Sequence, residues 1–397
     1  MQKRILFAVS WLLLGGMALS CPQLSFANEP FIDSDSIAEP EEPSDPEEFL
    51  QPQRRLLNPT PQQPTSELDR LLQQGRQLTE AGNFAPALAV YQQAANLERN
   101  NARIFSAIGF IQARQGKFQE AANAYRQAIA IEPNNDVFHY ALGYSLAHLG
   151  DNAGAANAYR RATELDRNNI QAFLGLGAVL FRQKDYQGAL RSYERAIRLQ
   201  PRSVDIRESI VAALMELKRY DDAIEVLERA VSIAPNNSRL RLQLAYALIA
   251  KGNQRGALSA LERAARLEPR NAQIHLQMGK ILRQQNNFPR ALAAYQRAVQ
   301  LDDKLIEAQA GVGEVLLLQQ NFSQAVTAYR RLIEIAPREA AAHYNLGVAL
   351  AKAGFTGEAI ASFKKARDLF QSQGQNEGVK QAENALRQLQ QGSSVGS

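Results

Sequence analysis

Small and apolar residues return along this chain at two superposed spacings: three or four residues within a segment, and 34 residues between segments. Alanine stands at Ala87, Ala121, Ala155, Ala189, Ala223, Ala257, Ala291, Ala325 and Ala359. A second series follows at Ala94, Ala128, Ala162, Ala196, Ala230, Ala264, Ala298, Leu332 and Ala366. Between the two lies a large side chain: Tyr91, Tyr125, Tyr159, Tyr193, Leu227, Leu261, Tyr295, Tyr329 or Phe363. A spacing of three and four residues marks one face of an α-helix. The longer period tiles 68–373 with nine repeats and no insertion: 68–101, 102–135, 136–169, 170–203, 204–237, 238–271, 272–305, 306–339 and 340–373.

Each repeat divides into two predicted amphipathic helices. In the second repeat, Phe105, Ile108, Gly109 and Gln112 mark the first helix, A. Gly116 suits a left-handed turn after it, and Ala121, Tyr125, Ala128 and Ile131 mark the second helix, B. Pro133 ends helix B, as Pro201, Pro235, Pro269 and Pro337 do in other repeats, because proline removes a backbone donor and clashes with the preceding turn. One helix pair cannot bury both apolar faces alone, so neighbours must stack into an all-α solenoid. Residues 374–391 are expected to form a capping helix, with Val379, Ala382, Leu386 and Leu389 on one stripe and Lys380, Glu383, Arg387 and Gln388 facing water. The stretch 392–397, "GSSVGS", is expected to be a disordered tail.

The 34-residue period, with Gly109, Gly143, Gly177, Gly279, Gly313 and Gly347 at one site beside these alanines and prolines, resembles the tetratricopeptide repeat (TPR) family. Departures are modest: Val211 and Ala245 replace the glycine in repeats 5 and 6, and repeats 1, 3, 7 and 9 lack the final proline. The resemblance implies a right-handed superhelix with helix A lining a concave groove and helix B outside. It also implies a protein-binding adaptor rather than an enzyme.

The chain's N-terminal part reads differently. Lys3 and Arg4 precede an apolar run from Ile5 to Leu14, and Ser25-Phe26-Ala27 offers a cleavage site, so 1–27 is expected to be a signal peptide. Lipid attachment at Cys21, in "ALSC", is the alternative. Export to a periplasm or to the lumenal side of a thylakoid would follow. Residues 28–67 are expected to be an acidic, proline-rich disordered linker: nine acids and no Lys or Arg lie within 28–53, too little apolar surface to offset ordering entropy. Charge is therefore unevenly spread, −9 over 28–53 and +12 over 54–397.

Catalytic chemistry is sparse. A single cysteine, Cys21, excludes a disulfide framework, and no G-x-S-x-G elbow, phosphate loop or H-E-x-x-H occurs. "GLGAVL" and "GVGEVL" fall inside helix A and are read as packing glycines. His139, His275 and His343 share one position of helix A, but in repeats 3, 7 and 9, too far apart for one metal when packed helices sit roughly 10 Å from one another. Many basic residues, such as Arg191, Arg195 and Arg198, lie on outer helix B faces with acids nearby, so nucleic acid is not expected as a partner.

Carried onto this sequence, the family's inward positions in repeats 2 to 4 are Phe110, Tyr140, Tyr144, Leu174 and Phe181, with Arg103, Arg114, His148 and Arg182 around them. Aromatic area with arginine forks suits an extended peptide bearing acidic groups or a C-terminal carboxylate. The two-carboxylate clamp of co-chaperone relatives has no counterpart, since Leu72, Arg76, Ala107, Val137 and Ala141 occupy its places. Asp205, Glu208 and Glu216 in repeat 5, with Glu307 and Glu314 in repeat 8, are weak candidates for a cation such as Mn2+. A leader followed by nine repeats is similar to exported TPR proteins of photosystem II assembly, which would imply the C-terminal tail of the D1 precursor as partner. The alternative is a structural scaffold of the cell envelope organising export or polysaccharide machinery.

Overall fold

A computed structural model describes residues 66–394, and side chains as far as 391. The expected signal peptide, almost all of the expected linker and residues 395–397 lie outside the described residues. Those described form nineteen helices and no strand.

They fall into two compact blocks, divided at Asn236/Asn237. The N-terminal block holds α1 (Glu67–Glu80), α2 (Phe84–Leu97), α3 (Ala102–Arg114), α4 (Phe118–Ile131), α5 (Asp136–His148), α6 (Asn152–Leu165), α7 (Ile170–Arg182), α8 (Tyr186–Leu199), α9 (Val204–Glu216) and α10 (Tyr220–Ile233). The C-terminal block holds α11 (Ser238–Ala250), α12 (Gln254–Leu267), α13 (Ala272–Gln284), α14 (Phe288–Leu301), α15 (Ile306–Leu318), α16 (Phe322–Ile335), α17 (Ala340–Lys352), α18 (Thr356–Ser372) and α19 (Asn376–Ser394). Odd-numbered helices to α17 are the A helices, even-numbered ones the B helices. From repeat 2 onward every A helix starts at the residue where the 34-residue period places a repeat boundary.

The two ends shift the expected limits. Helix α1 starts one residue before the expected limit at 68, because Ser66 and Asp69 cap it reciprocally: the Ser66 hydroxyl accepts from the Asp69 N–H, and the Asp69 carboxylate accepts from the Ser66 N–H, both at 3.1 Å. The last helix runs past its expected end at 391 to Ser394. Ala382 and Leu386 are buried and Val379 and Leu389 half-buried, as the stripe predicts, but Gln388 is half-buried too rather than facing water.

A close approach between glycine and an aromatic ring sets the pairing of A with B. A Cβ built on Gly177 would lie 2.3 Å from the Tyr193 ring, one on Gly143 2.8 Å from Tyr159, and one on Gly279 2.6 Å from Tyr295. No side chain fits there, so the glycine is the socket for the ring of its own helix B. Gly175 and Gly311 do the same for the ring of the preceding repeat, Tyr159 and Tyr295. This explains both G-x-G stretches as packing. It also explains the departures in repeats 5 and 6, where Val211 and Ala245 stand opposite Leu227 and Leu261 instead of tyrosine. Where the Cβ returns, the ring is gone.

Successive repeats are joined by a second device. His139 Nε2–H donates to the Pro133 carbonyl at 2.9 Å, His275 to Pro269 at 3.2 Å and His343 to Pro337 at 3.0 Å. Arg207 donates to the Pro201 carbonyl at 2.5 Å. These carbonyls follow the end of helix B, where backbone acceptors lack an intrahelical partner. The chain keeps the pairing throughout: each of the five repeat-ending prolines is followed six residues later by His or Arg, whereas Phe105, Phe173 and Gln309 fill that place after repeats that end without proline. His139, His275 and His343 are thus inter-repeat donors.

The turn from A to B is left-handed throughout. Five repeats use glycine there, Gly116 among them at φ +73, but Lys184, Lys218, Asn286 and Gln320 adopt the same conformation at φ +57 to +63. Within each block, A helices approach the next A helix (α3 to α5 and α5 to α7; α13 to α15 and α15 to α17) more closely than any B helix approaches the next B. The A helices therefore line the tighter, inner side of each block.

Candidate functional site

The inner side of the N-terminal block carries a run of rings and cations. Phe118 and His148 stack with centroids 4.3 Å apart and planes 6° from parallel, and Tyr144 meets His148 edge-on at 4.4 Å. Phe118 and Tyr144 lie 6.2 Å apart. Both are half-buried, while His148 is exposed, so one side of the trio remains open to solvent. The Arg114 guanidinium sits 5.6 Å above the Phe84 ring, a cation–π distance. Phe181 meets Tyr186 edge-on at 5.1 Å, and the Tyr186 hydroxyl bonds Glu216; desolvation and then that carboxylate push its phenol pKa up.

One rule connects these contacts. The last residue of an A helix rests on the first residue of the B helix before it: Arg114 on Phe84, His148 on Phe118, Glu216 against Tyr186. In the C-terminal block Gln284 accepts from Gln254 at 2.8 Å in the same relation. Phe84, Phe118 and Tyr186 belong to the site although inward positions on helix A alone do not reveal them. The signal was present in the sequence: an aromatic opens helix B in six of nine repeats, the others being Tyr220, Phe288 and Phe322.

The structure divides the expected groove residues. Tyr144, Leu174 and Phe181 are half-buried and Arg103, Arg114, His148 and Arg182 exposed, which leaves them accessible. Tyr140 and Phe110 do not belong with them. Tyr140 is 1% exposed and packs on Tyr159 at 5.8 Å; Phe110 is 6% exposed. Tyr344, at the place in repeat 9 equivalent to Tyr140, is likewise 2% exposed against Phe363 at 5.2 Å. At these two places the tyrosine ring turns into the A–B seam and meets the aromatic of helix B, where burying its apolar area is favourable.

Two of the acidic candidates are paired within the protein. Glu307 is held by Lys280 at 2.5 Å and Glu314 by Arg283, so their charge is already matched within the protein. Among the described residues no three His, Cys, Asp or Glu side chains come together as a metal-binding group, and Asp205, Glu208 and Glu216 are no exception. Buried tyrosines complete the picture: burial pushes the Tyr91 phenol up to about 12, against the opposing effects of Arg76 and of its hydrogen bond with Thr79. It stays protonated at neutral pH.

Helix pairs stacked in tandem, with an accessible inner face and a core of sockets and rings, define a repeat scaffold for protein recognition. Family profiles described as "Tetratricopeptide repeat" match residues 140–203, 180–241, 214–257 and 242–305, and a profile described as "TPR repeat" matches 75–116, 111–150 and 313–354. Together they run unbroken from 75 to 305, and the chain belongs to the tetratricopeptide repeat family. A TPR repeat-containing protein of Picosynechococcus is 39% identical over 61 residues, 15% of this chain and 16% of that protein's length. The C-terminal part of a TPR repeat-containing protein from Cytophaga hutchinsonii superposes with a TM-score of 0.54 at 16% identity, covering 60% of this chain and 98% of that one, and so shows the shared fold. YrrB, described as a TPR protein with an unusual peptide-binding site, is 24% identical with a TM-score of 0.41, over 47% of this chain and 96% of its own.

Proposed function

We propose that this protein is a non-enzymatic adaptor that holds an extended peptide or protein tail on the A-helix face of its N-terminal block. The observation that carries the reading is the half-open trio Phe118, Tyr144 and His148 with exposed Arg103, Arg114 and Arg182 on neighbouring A helices. Rings give contact area at low entropic cost, and guanidinium forks take carboxylates two-pronged. A peptide rich in acids, or ending in its own carboxylate, matches that pairing.

The finer reading is an exported assembly factor, for which the tail of the D1 precursor of photosystem II is the partner to test. It rests on the expected leader and the nine repeats alone. Anisotropy of a labelled tail peptide, titrated with the full chain, tests both levels. Phe118→Ala with Tyr144→Ala should weaken binding about tenfold or more, the scale of a central aromatic anchor, and amidating the peptide's C-terminus should weaken it further. An unrelated acidic peptide that binds while the D1 tail does not would keep the adaptor and remove the photosystem role. Equal affinity for the double variant and the unaltered chain would remove the groove.

A further inference from the structure

From Asn237 to Leu301 the chain holds eleven Lys or Arg and only two Asp or Glu. Lys280 and Arg283 face inward to Glu307 and Glu314. Others gather on the B-helix side. Arg255, Arg263 and Arg266 fall within about 80° of one another around α12, counting 100° per residue. Arg290 and Arg297 lie on one side of α14, and Arg270 follows α12. All six are exposed. Arg290 reaches back to Glu262 of α12 at 2.8 Å, so the rows on the two helices adjoin in one surface.

The fold does not require this. One repeat earlier, Asp221 stands in the place of Arg255, Ser232 in that of Arg266 and Asn236 in that of Arg270. Three of the four equivalent sites thus carry an acid or a neutral residue, and only Arg229, in the place of Arg263, keeps the cation. Every cation on the surface is arginine, whose planar fork matches carboxylates where lysine offers a point charge. The surface already holds one carboxylate, Glu262, through a single bond from Arg290.

We propose that the outer face of α12 and α14 is a second docking surface, for a carboxylate-rich extended segment of a partner protein. An anionic bilayer fits less well, because Leu267 is the one exposed large apolar side chain there and nothing stands ready to insert. Single-stranded nucleic acid fits less well too, because no exposed aromatic on these helices can stack a base.

The test uses the purified full chain and a fluorescein-labelled oligoglutamate at low salt, where exposed charges are least screened. Arg255→Gln, Arg263→Gln and Arg266→Gln together should weaken binding about tenfold, since three modest exposed pairs are lost at once. A triple Arg191→Gln, Arg195→Gln, Arg198→Gln on α8 should change it less than about twofold, and the α12 triple should cause the same fold loss when made in a Phe118→Ala/Tyr144→Ala chain, which separates this surface from the groove. Replacing the α12 arginines by lysine should cost a few-fold, the share of the fork. The proposal is overturned if the α12 triple binds like the unaltered chain, or if the α8 triple loses as much. It is also overturned if phosphatidylglycerol vesicles or an oligonucleotide bind through these arginines while oligoglutamate does not.

Discussion

The inner faces of the two blocks are built on the same rungs and finished in opposite ways. In the C-terminal block the face is closed by its own chemistry: Lys280 pairs with Glu307 and Arg283 with Glu314, each side chain about a quarter to a third exposed. Burial alone would lower the Arg283 pKa, but Glu314 and Tyr295 more than offset it and hold the guanidinium charged. In the N-terminal block the corresponding helices present Phe118, Tyr144 and His148 as a ring cluster, with Arg114 over Phe84. One face satisfies itself; the other offers rings and cations to something else. The core beneath is shared, so packing sets the scaffold while the inner positions are left to set the partner.

If the core is common to both blocks, the same substitution should be costly in each. Gly177→Ala puts a methyl 2.3 Å from Tyr193, and Gly279→Ala one 2.6 Å from Tyr295. Alanine would gain about 1 kcal/mol in helix propensity, but overpacking of this kind costs about 1–3 kcal/mol, and contact with a ring buried on all sides puts both at the upper end. Urea denaturation should show a net loss of about 2 kcal/mol for either. Adding Tyr193→Leu to Gly177→Ala recreates the Ala245–Leu261 pairing of repeat 6 and should recover part of the loss, a non-additivity visible in a double-mutant cycle. Strict additivity would mean that ring and glycine do not read one another.

The closed face is tested on a smaller scale. A cycle of Lys280→Ala and Glu307→Ala should return a coupling of about 0.5–1 kcal/mol, more than a fully exposed pair but reduced by solvent screening. A coupling near zero would make the C-terminal face as available as the N-terminal one and erase the contrast between them.

How much of this could be read beforehand follows from what each position is constrained by. The period, the boundaries of the A helices and the packing role of both G-x-G stretches were legible, because burial forces the same residue types to recur at fixed intervals. The inner face was legible only in part. Tyr140 shares the family's inward position with Leu174, yet it is buried while Leu174 is half-buried; side-chain size and the neighbouring Tyr159 decide, and neither is a matter of period. Phe118 was missed for the converse reason: it belongs to helix B but its ring reaches the A-helix face. That Lys280 and Arg283 meet Glu307 and Glu314 a full repeat later is likewise set by side-chain reach and not by the period.

The smallest expected effect concerns the inter-repeat donors. His343, in the C-terminal block, is half-buried, and its pKa lies below 6.5 because burial disfavours the charged ring and Lys365 repels it, while the bond to Pro337 acts the other way. Between that lowered value and 6.5 the unfolded chain binds more protons at this site than the folded one. Stability should therefore fall as pH drops through 6.5, and level off below the folded-state pKa. His343→Gln keeps an N–H donor and cannot titrate, so its denaturation midpoint should depend less on pH across that window. Lys365→Gln removes the repulsion without touching the ring. In an NMR titration it should move the His343 midpoint upward, toward 6.5. A midpoint unmoved by that change would mean that burial alone holds the ring neutral, and that the outer helix B charges do not reach the inter-repeat bonds.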